Sequence, residues 1–212
     1  MHIQVKDNLM GFIKNNSIST EGIQLPDAAI DTVNIQVMMI NEAPPLNPDD
    51  FFYSKAHDPG DMKTTRSLFQ NAGVNVQSIN DILQMGIYIT TAVKSPKSGY
   101  TVDTEKLADH LPILEYEIEM FPNLKVVMLM GDVAKKSFNM IAKKKTKKNA
   151  LPSGSTYKIR NNEFYFNSIR IFPSYIMTGG NILIEKSKCS MISENIGRMI
   201  KFIDRAPPDP VV

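Results

Sequence analysis

Asn34-Ile-Gln-Val-Met-Met-Ile-Asn-Glu-Ala-Pro-Pro45 is the stretch that decides how this chain is built. Asn34 to Ile40 is an almost unbroken apolar run of strand length, which reads as a strand buried on both faces, as in a parallel sheet. It ends abruptly in Asn41-Glu42-Ala43-Pro44-Pro45, because prolines cannot continue a ladder. Three further runs share this design. Ile87 to Val93 is rich in β-branched residues, Leu124 to Met130 is turned by Gly131-Asp132, and Ser168 to Phe172 is closed by Pro173.

Helical spacing fills the intervals. Val5, Leu9, Phe12 and Ile13 predict a first helix to about Lys14, and Met62 to Ala72 a second. Ser78 caps a short helical turn, and Thr104 caps a long helix through Phe121 that Pro112 kinks or splits. Asp132 is read as the N-cap of a helix over Val133 to Ala142. Ile192, Ile196, Met199, Ile200 and Ile203 mark the last helix. Thr156–Arg160 and Glu163–Phe166 are expected to pair as a hairpin across Asn161-Asn162. Strands alternating with helices predict one α/β domain over residues 1–205, a parallel sheet covered on both faces, with a frayed tail over 206–212.

In such sheets ligands bind outside the carboxyl ends of the strands. The unusual residues gather there: Asn41–Pro45, Thr90–Lys97, Gly131-Asp132 and Pro173–Gly180. Glu42, the carboxylate directly after the first strand, suits a general base or an electrostatic stabiliser of a developing cation. Its plainer use is to accept hydrogen bonds from loop amides. Ala43-Pro44-Pro45 makes a rigid turn against which a flat ligand could lie. Phe51, Phe52 and Tyr53 either stack on a planar base or anchor their loop. Thr90, Thr91 and Lys94 close the second strand with two hydroxyls and a cation suited to phosphate. No phosphate-binding GxxxxGK[ST] or GxGxxG loop is present.

The composition is ordinary for a globular chain: 212 residues, 42% hydrophobic and 22% charged. No apolar run reaches the roughly 18–20 residues of a membrane helix. Met1 to Asn15 lacks the apolar core of a signal peptide, and a lone cysteine, Cys189, fits the reducing cytoplasm. His2, His57 and His110 have no metal-ligand spacing, so no metal or other cofactor is expected. Net charge is +2, yet Ala134 to Arg170 holds 10 Lys/Arg against the single acid Glu163. Lys143, Lys144, Lys145, Lys147 and Lys148 form the densest run, expected in a loop. It reads as a grip for a polyanion or as a solvated face.

Taken in order, Met38-Met-Ile-Asn-Glu-Ala-Pro-Pro45, Tyr88-Ile-Thr-Thr-Ala-Val-Lys94, Val126-Val-Met-Leu-Met-Gly-Asp-Val-Ala134 and Ile171-Phe-Pro-Ser-Tyr175 resemble the strand-end segments of the uracil-DNA glycosylase superfamily. The nearest branch is the iron–sulfur one, with its Gly-Glu-Ala-Pro-Gly motif. The resemblance implies a three-layer α/β/α sandwich around a mostly parallel four-stranded sheet. It also implies a monomer that extrudes a damaged base from single- or double-stranded DNA and hydrolyses its N-glycosidic bond. It assigns Glu42 to the water or the sugar cation. Asn41, Ala43, Pro44, Phe52, Tyr53, Thr91, Ser174 and Tyr175 fall in the base pocket, and Lys94 and the lysine run are expected on DNA from their charge. The departures are specific. Asn41 and Pro45 replace the glycines of the first motif, and Thr91 stands where the branch has an asparagine that reads uracil. Ser95 replaces a cluster cysteine, so the iron–sulfur cluster is absent. Ile176-Met177 follows Tyr175 where the family carries a histidine. Two other readings stay open: a nucleobase- or nucleic-acid-binding protein without catalysis, and an unrelated doubly wound enzyme for a small ligand.

Overall fold

The computed structural model describes residues 1–97, 99, 102–179 and 182–205; the expected tail over 206–212 lies outside them. A short strand β1 (His2–Gln4) leads into α1 (Val5–Asn15) and pairs antiparallel with β2 (Ala29–Asp31). The main elements follow as β3 (Val37–Asn41), α2 (Gly60–Asn71), α3 (Ile79–Gln84), β4 (Ile87–Thr91), α4 (Thr104–Glu119), β5 (Val126–Met130), α5 (Asp132–Thr146), α6 (Thr156–Ile159), β6 (Phe164–Phe166), β7 (Ile169–Ser174) and α7 (Lys186–Arg205). The sheet runs β4-β3-β5-β7-β6, with the first four strands parallel.

Every residue of β3, β4 and β5 is buried, which is why these runs show no polar alternation. Helices cover both faces, and the registers show how. Thr90, Ile40, Leu129 and Pro173 lie side by side across four strands, so their side chains share a face. The Thr90 hydroxyl donates to Glu117 of α4. Ser174, one residue on, points to the opposite face and accepts from Asn195 of α7. Thus α4 and α7 lie on opposite sides. α1 and α5 pack beside α4, and α2 packs beside α7. One continuous apolar cluster extends from Val5 to Met199. Among the described residues no helix is long and apolar enough to cross a membrane.

Several local expectations are corrected. The sheet has five strands, not four, because β6 joins β7 antiparallel. The expected hairpin across Asn161-Asn162 is absent: Thr156–Ile159 is helical, and the tight turn falls at Asn167, whose φ is +53°. Asparagine tolerates that left-handed conformation. Pro173 does not close β7 but lies within it. Its carbonyl turns away from β5 toward Asn195 of α7, on the side where no ladder donor is needed. Pro112 does not split α4, which runs unbroken from Thr104 to Glu119 with the proline on its exposed face, where water can take the freed carbonyl. Asp132 does not cap α5. The N-cap is Gly131, at φ +102°. Finally, Lys143 to Lys145 are not loop residues but the last turn of α5, where the negative end of the helix favours cations. Ser78 caps α3 as expected, and Asp81 completes a capping box with it.

Candidate functional site

Glu42 hangs over the carboxyl end of the sheet. Its Oε1 accepts from the Val133 amide at 3.2 Å, and its Oε2 accepts from Lys97 Nζ at 2.7 Å. Val133 is in the first turn of α5, where free N–H groups and the helix dipole favour an anion. The first turn of α5 is therefore satisfied by Glu42, just past the end of β3, rather than by Asp132. Gly131 makes this possible, since a Cβ there would collide with the Glu42 carboxylate. Ala43, Pro44 and Pro45 follow as a turn, and Gln24 pins it by donating from Nε2 to the Pro45 carbonyl at 2.9 Å.

Asn41 precedes Glu42 as the last residue of β3, and no part of it is exposed. Neither its Oδ1 nor its Nδ2 has a hydrogen-bond partner. It is the only side chain among the described residues with two such buried atoms. Leaving a buried donor or acceptor unmade costs about 1–3 kcal/mol each. Strand alternation puts Asn41 on the α7 face, opposite Thr91 in the register and on the same side as Ser174. The structure thus brings Asn41, Thr91 and Ser174 together on one face at the carboxyl end of the sheet. Ser174 is already held by Asn195. Tyr175 follows just outside the strand, with the Lys188 ammonium 5.9 Å from its ring centre.

The aromatics are placed differently. Phe51, Phe52 and Tyr53 are all buried, and the Tyr53 hydroxyl donates to the Ile89 carbonyl on the free edge of β4 at 2.7 Å. Phe51 packs edge-on against Phe52. The cluster closes the sheet edge, which is the anchoring use weighed from the sequence.

Lys94 requires a correction. It was expected to meet phosphate, but it is wholly buried on the α4 side. Its ammonium donates to Glu117, to the Thr90 hydroxyl at 2.8 Å and to the Thr91 carbonyl at 2.6 Å. Glu117 also accepts from Tyr88 at 2.6 Å. Burial pushes the Lys94 ammonium below its usual range, while Glu117 pulls the other way. Beside it His110 Nδ1 accepts from the Lys94 amide, so in the neutral ring Nε2 carries the proton facing Ser95 Oγ, 3.3 Å away. Burial pushes His110 down to about 4. A ring that donates to the serine cannot take its proton, so this pair is not a nucleophile and base.

The lysine run is also relocated. Lys143, Lys144, Lys145, Lys147 and Lys148 are exposed at the far end of α5, roughly 15–20 Å along the helix from Glu42. Lys144 pairs with Glu115 at 2.8 Å and Lys145 with Glu119 at 2.6 Å, both on α4. The run sits at the opposite end of the sheet from the candidate site, so it does not line it.

Sequence reasoning missed one feature. A cavity of about 420 Å³ opens beside the Pro45 turn, lined by Asp50, Gly60, Asp61, Lys63, Thr64, Gly179 and Leu183. That is the size of a small-molecule pocket. Asp50 caps α2 by accepting from the Gly60 amide at 3.3 Å. Asp61 is 6% exposed. Burial, reinforced by the Asp50 charge, pushes its carboxyl up to about 7. The dipole of α2 favours the charged form by only ~0.3–1 kcal/mol, too little to offset such burial. The spacing of Asp50 and Asp61 alone carried no sign that a cavity would join them.

Cys189 is buried and donates from Sγ to the Ile182 carbonyl. Among the described residues no group of three or more His, Cys, Asp or Glu could hold a metal ion. No protein-family model matches the chain, and no curated protein matches it either.

Proposed function

We propose that this protein binds DNA at the carboxyl end of its parallel strands and hydrolyses the N-glycosidic bond of a deaminated base. The observation that carries the reading is the buried Asn41 carboxamide with neither polar atom paired, directly before the anchored Glu42. A carboxamide offers one donor face and one acceptor face, which is what the hydrogen-bonding edge of a lactam base requires. The resemblance of the four strand-end segments to uracil-DNA glycosylases points the same way. In the reaction the C1′–N bond breaks with its electron pair passing to the base. Glu42 stabilises the positive sugar electrostatically. Water adds to C1′, and the proton it loses ends on the released base.

A second reading, binding without cleavage, is favoured by one contact set: each Glu42 oxygen already accepts a hydrogen bond, from Val133 and from Lys97, so the carboxylate has a structural use of its own. The deciding assay uses single- and double-stranded oligonucleotides carrying uracil or hypoxanthine. Release by the wild type, reduced about a hundredfold or more in Glu42→Gln, supports the first reading. Saturable binding with no release, weakened in Asn41→Ala, supports the second. Neither release nor binding overturns both.

A further inference from the structure

The cavity beside the Pro45 turn holds a side chain the proposed chemistry has not used. Asp61 is nine-tenths buried, lines that cavity, and among the described residues its carboxyl makes no hydrogen bond. Its backbone carbonyl is occupied by the Thr64 and Thr65 hydroxyls, so the helix turn is satisfied without it. We propose that Asp61 serves as a neutral carboxylic acid that donates a hydrogen bond to a ring carbonyl of the bound base, and so selects oxo-bases over their amino counterparts. The inference rests on the nucleobase reading above.

The chemistry is simple. Deamination turns an exocyclic amine, a donor, into a carbonyl, an acceptor. A protonated carboxyl presents an O–H and welcomes the carbonyl. A carboxylate only accepts and welcomes the amine. The charged groups facing Asp61 set which form is present. Asp50, from the turn before α2, disfavours the anion, and Lys63, on the same helix, lines the cavity as a cation. The Pro45 turn, Gly179 and Leu183 bring no charge, and α7 lines the adjoining groove with Lys186, Glu194, Arg198 and Lys201, Glu194 being paired with Arg160. Burial dominates and holds the carboxyl near neutrality.

The test measures affinity for single-stranded oligonucleotides with one central uracil or cytosine, by fluorescence anisotropy from pH 5.5 to 8.5. Glu42→Gln is the background, so that base release is slow on the timescale of the measurement. The expected result is a uracil preference of about tenfold or more at pH 6, collapsing by pH 8.5, with Asp61→Asn flat across the range because an amide both donates and accepts. A preference that persists unchanged to pH 8.5, or an Asp61→Asn variant that keeps the wild-type profile, overturns the inference while leaving the nucleobase reading standing. Failure of both oligonucleotides to bind at any pH, with the proteins folded by circular dichroism, overturns both.

Discussion

On the α4 face of the sheet, Lys94, Glu117, Tyr88 and Thr90 form a buried cluster whose charged and hydroxyl groups are all hydrogen-bonded. On the α7 face, a few ångströms through the same strands, the Asn41 side chain is equally buried and has no hydrogen-bond partner. Asp61, in the cavity nearby, makes no side-chain hydrogen bond among the described residues. The difference separates two uses of buried polarity. A saturated network holds a fold in one arrangement and has nothing left to offer a ligand. An unsaturated group costs stability in the free protein, and it repays that cost only when something else completes it.

The largest effect should come from breaking the saturated side. Glu117→Ala strands the Lys94 ammonium in the core and should cost about 3–5 kcal/mol in denaturant unfolding. Replacing both partners by apolar residues, Lys94→Met with Glu117→Leu, should recover most of that loss, since desolvation of the pair largely offsets its attraction.

Asp61→Asn should do the opposite and stabilise the protein. With a folded-state value near 7 against an ordinary 3.8, the folded protein binds the extra proton between these values. The stability contributed by protonated Asp61 is therefore complete below about pH 4 and lost as pH rises through 7. The advantage of Asp61→Asn should grow across that window to as much as about 4 kcal/mol, measured as unfolding midpoints at pH 4, 6 and 8. Equal advantage at all three would contradict the burial argument.

Gly131→Ala should cost about 1–3 kcal/mol, from the positive φ and from the collision with Glu42. It should also lower base release or binding more than its stability loss explains. Asn41→Val should be neutral or raise stability by about 1–2 kcal/mol, because it removes two unsatisfied groups from a buried strand, while abolishing ligand affinity. The smallest effect is expected at the lysine run. Changing Lys143, Lys144, Lys145, Lys147 and Lys148 to Ser together should leave the salt dependence of oligonucleotide binding almost unchanged, since a slope reports the phosphates actually neutralised. A markedly flatter slope would put DNA on that end of α5 after all.

What could be read in the sequence follows from how local each signal was. β3 was legible because a strand buried on both faces is apolar throughout, and Asn41 and Glu42 stood out because they interrupt that run at its end. Lys94 was not legible: a lysine looks exposed until its partner is known, and Glu117 lies 23 residues away on another element. Asp61 was hidden for the same reason, its cavity arising only when Pro45, Gly179 and Leu183 come together beside α2. The turn at Asn161-Asn162 was a plausible local signal that lost to the one at Asn167, where β6 can reach the open side of β7.

The most direct test of the central claim reads Asn41 itself. In protein labelled with 15N at asparagine side chains, titration with a uracil-containing oligonucleotide, in the Glu42→Gln background, should shift the Asn41 side-chain amide and slow its exchange with water. The same titration with an abasic oligonucleotide should not. An Asn41 amide that stays unmoved while the uracil oligonucleotide binds to saturation would contradict the account, and would mark the unpaired carboxamide as a cost of the fold rather than a site.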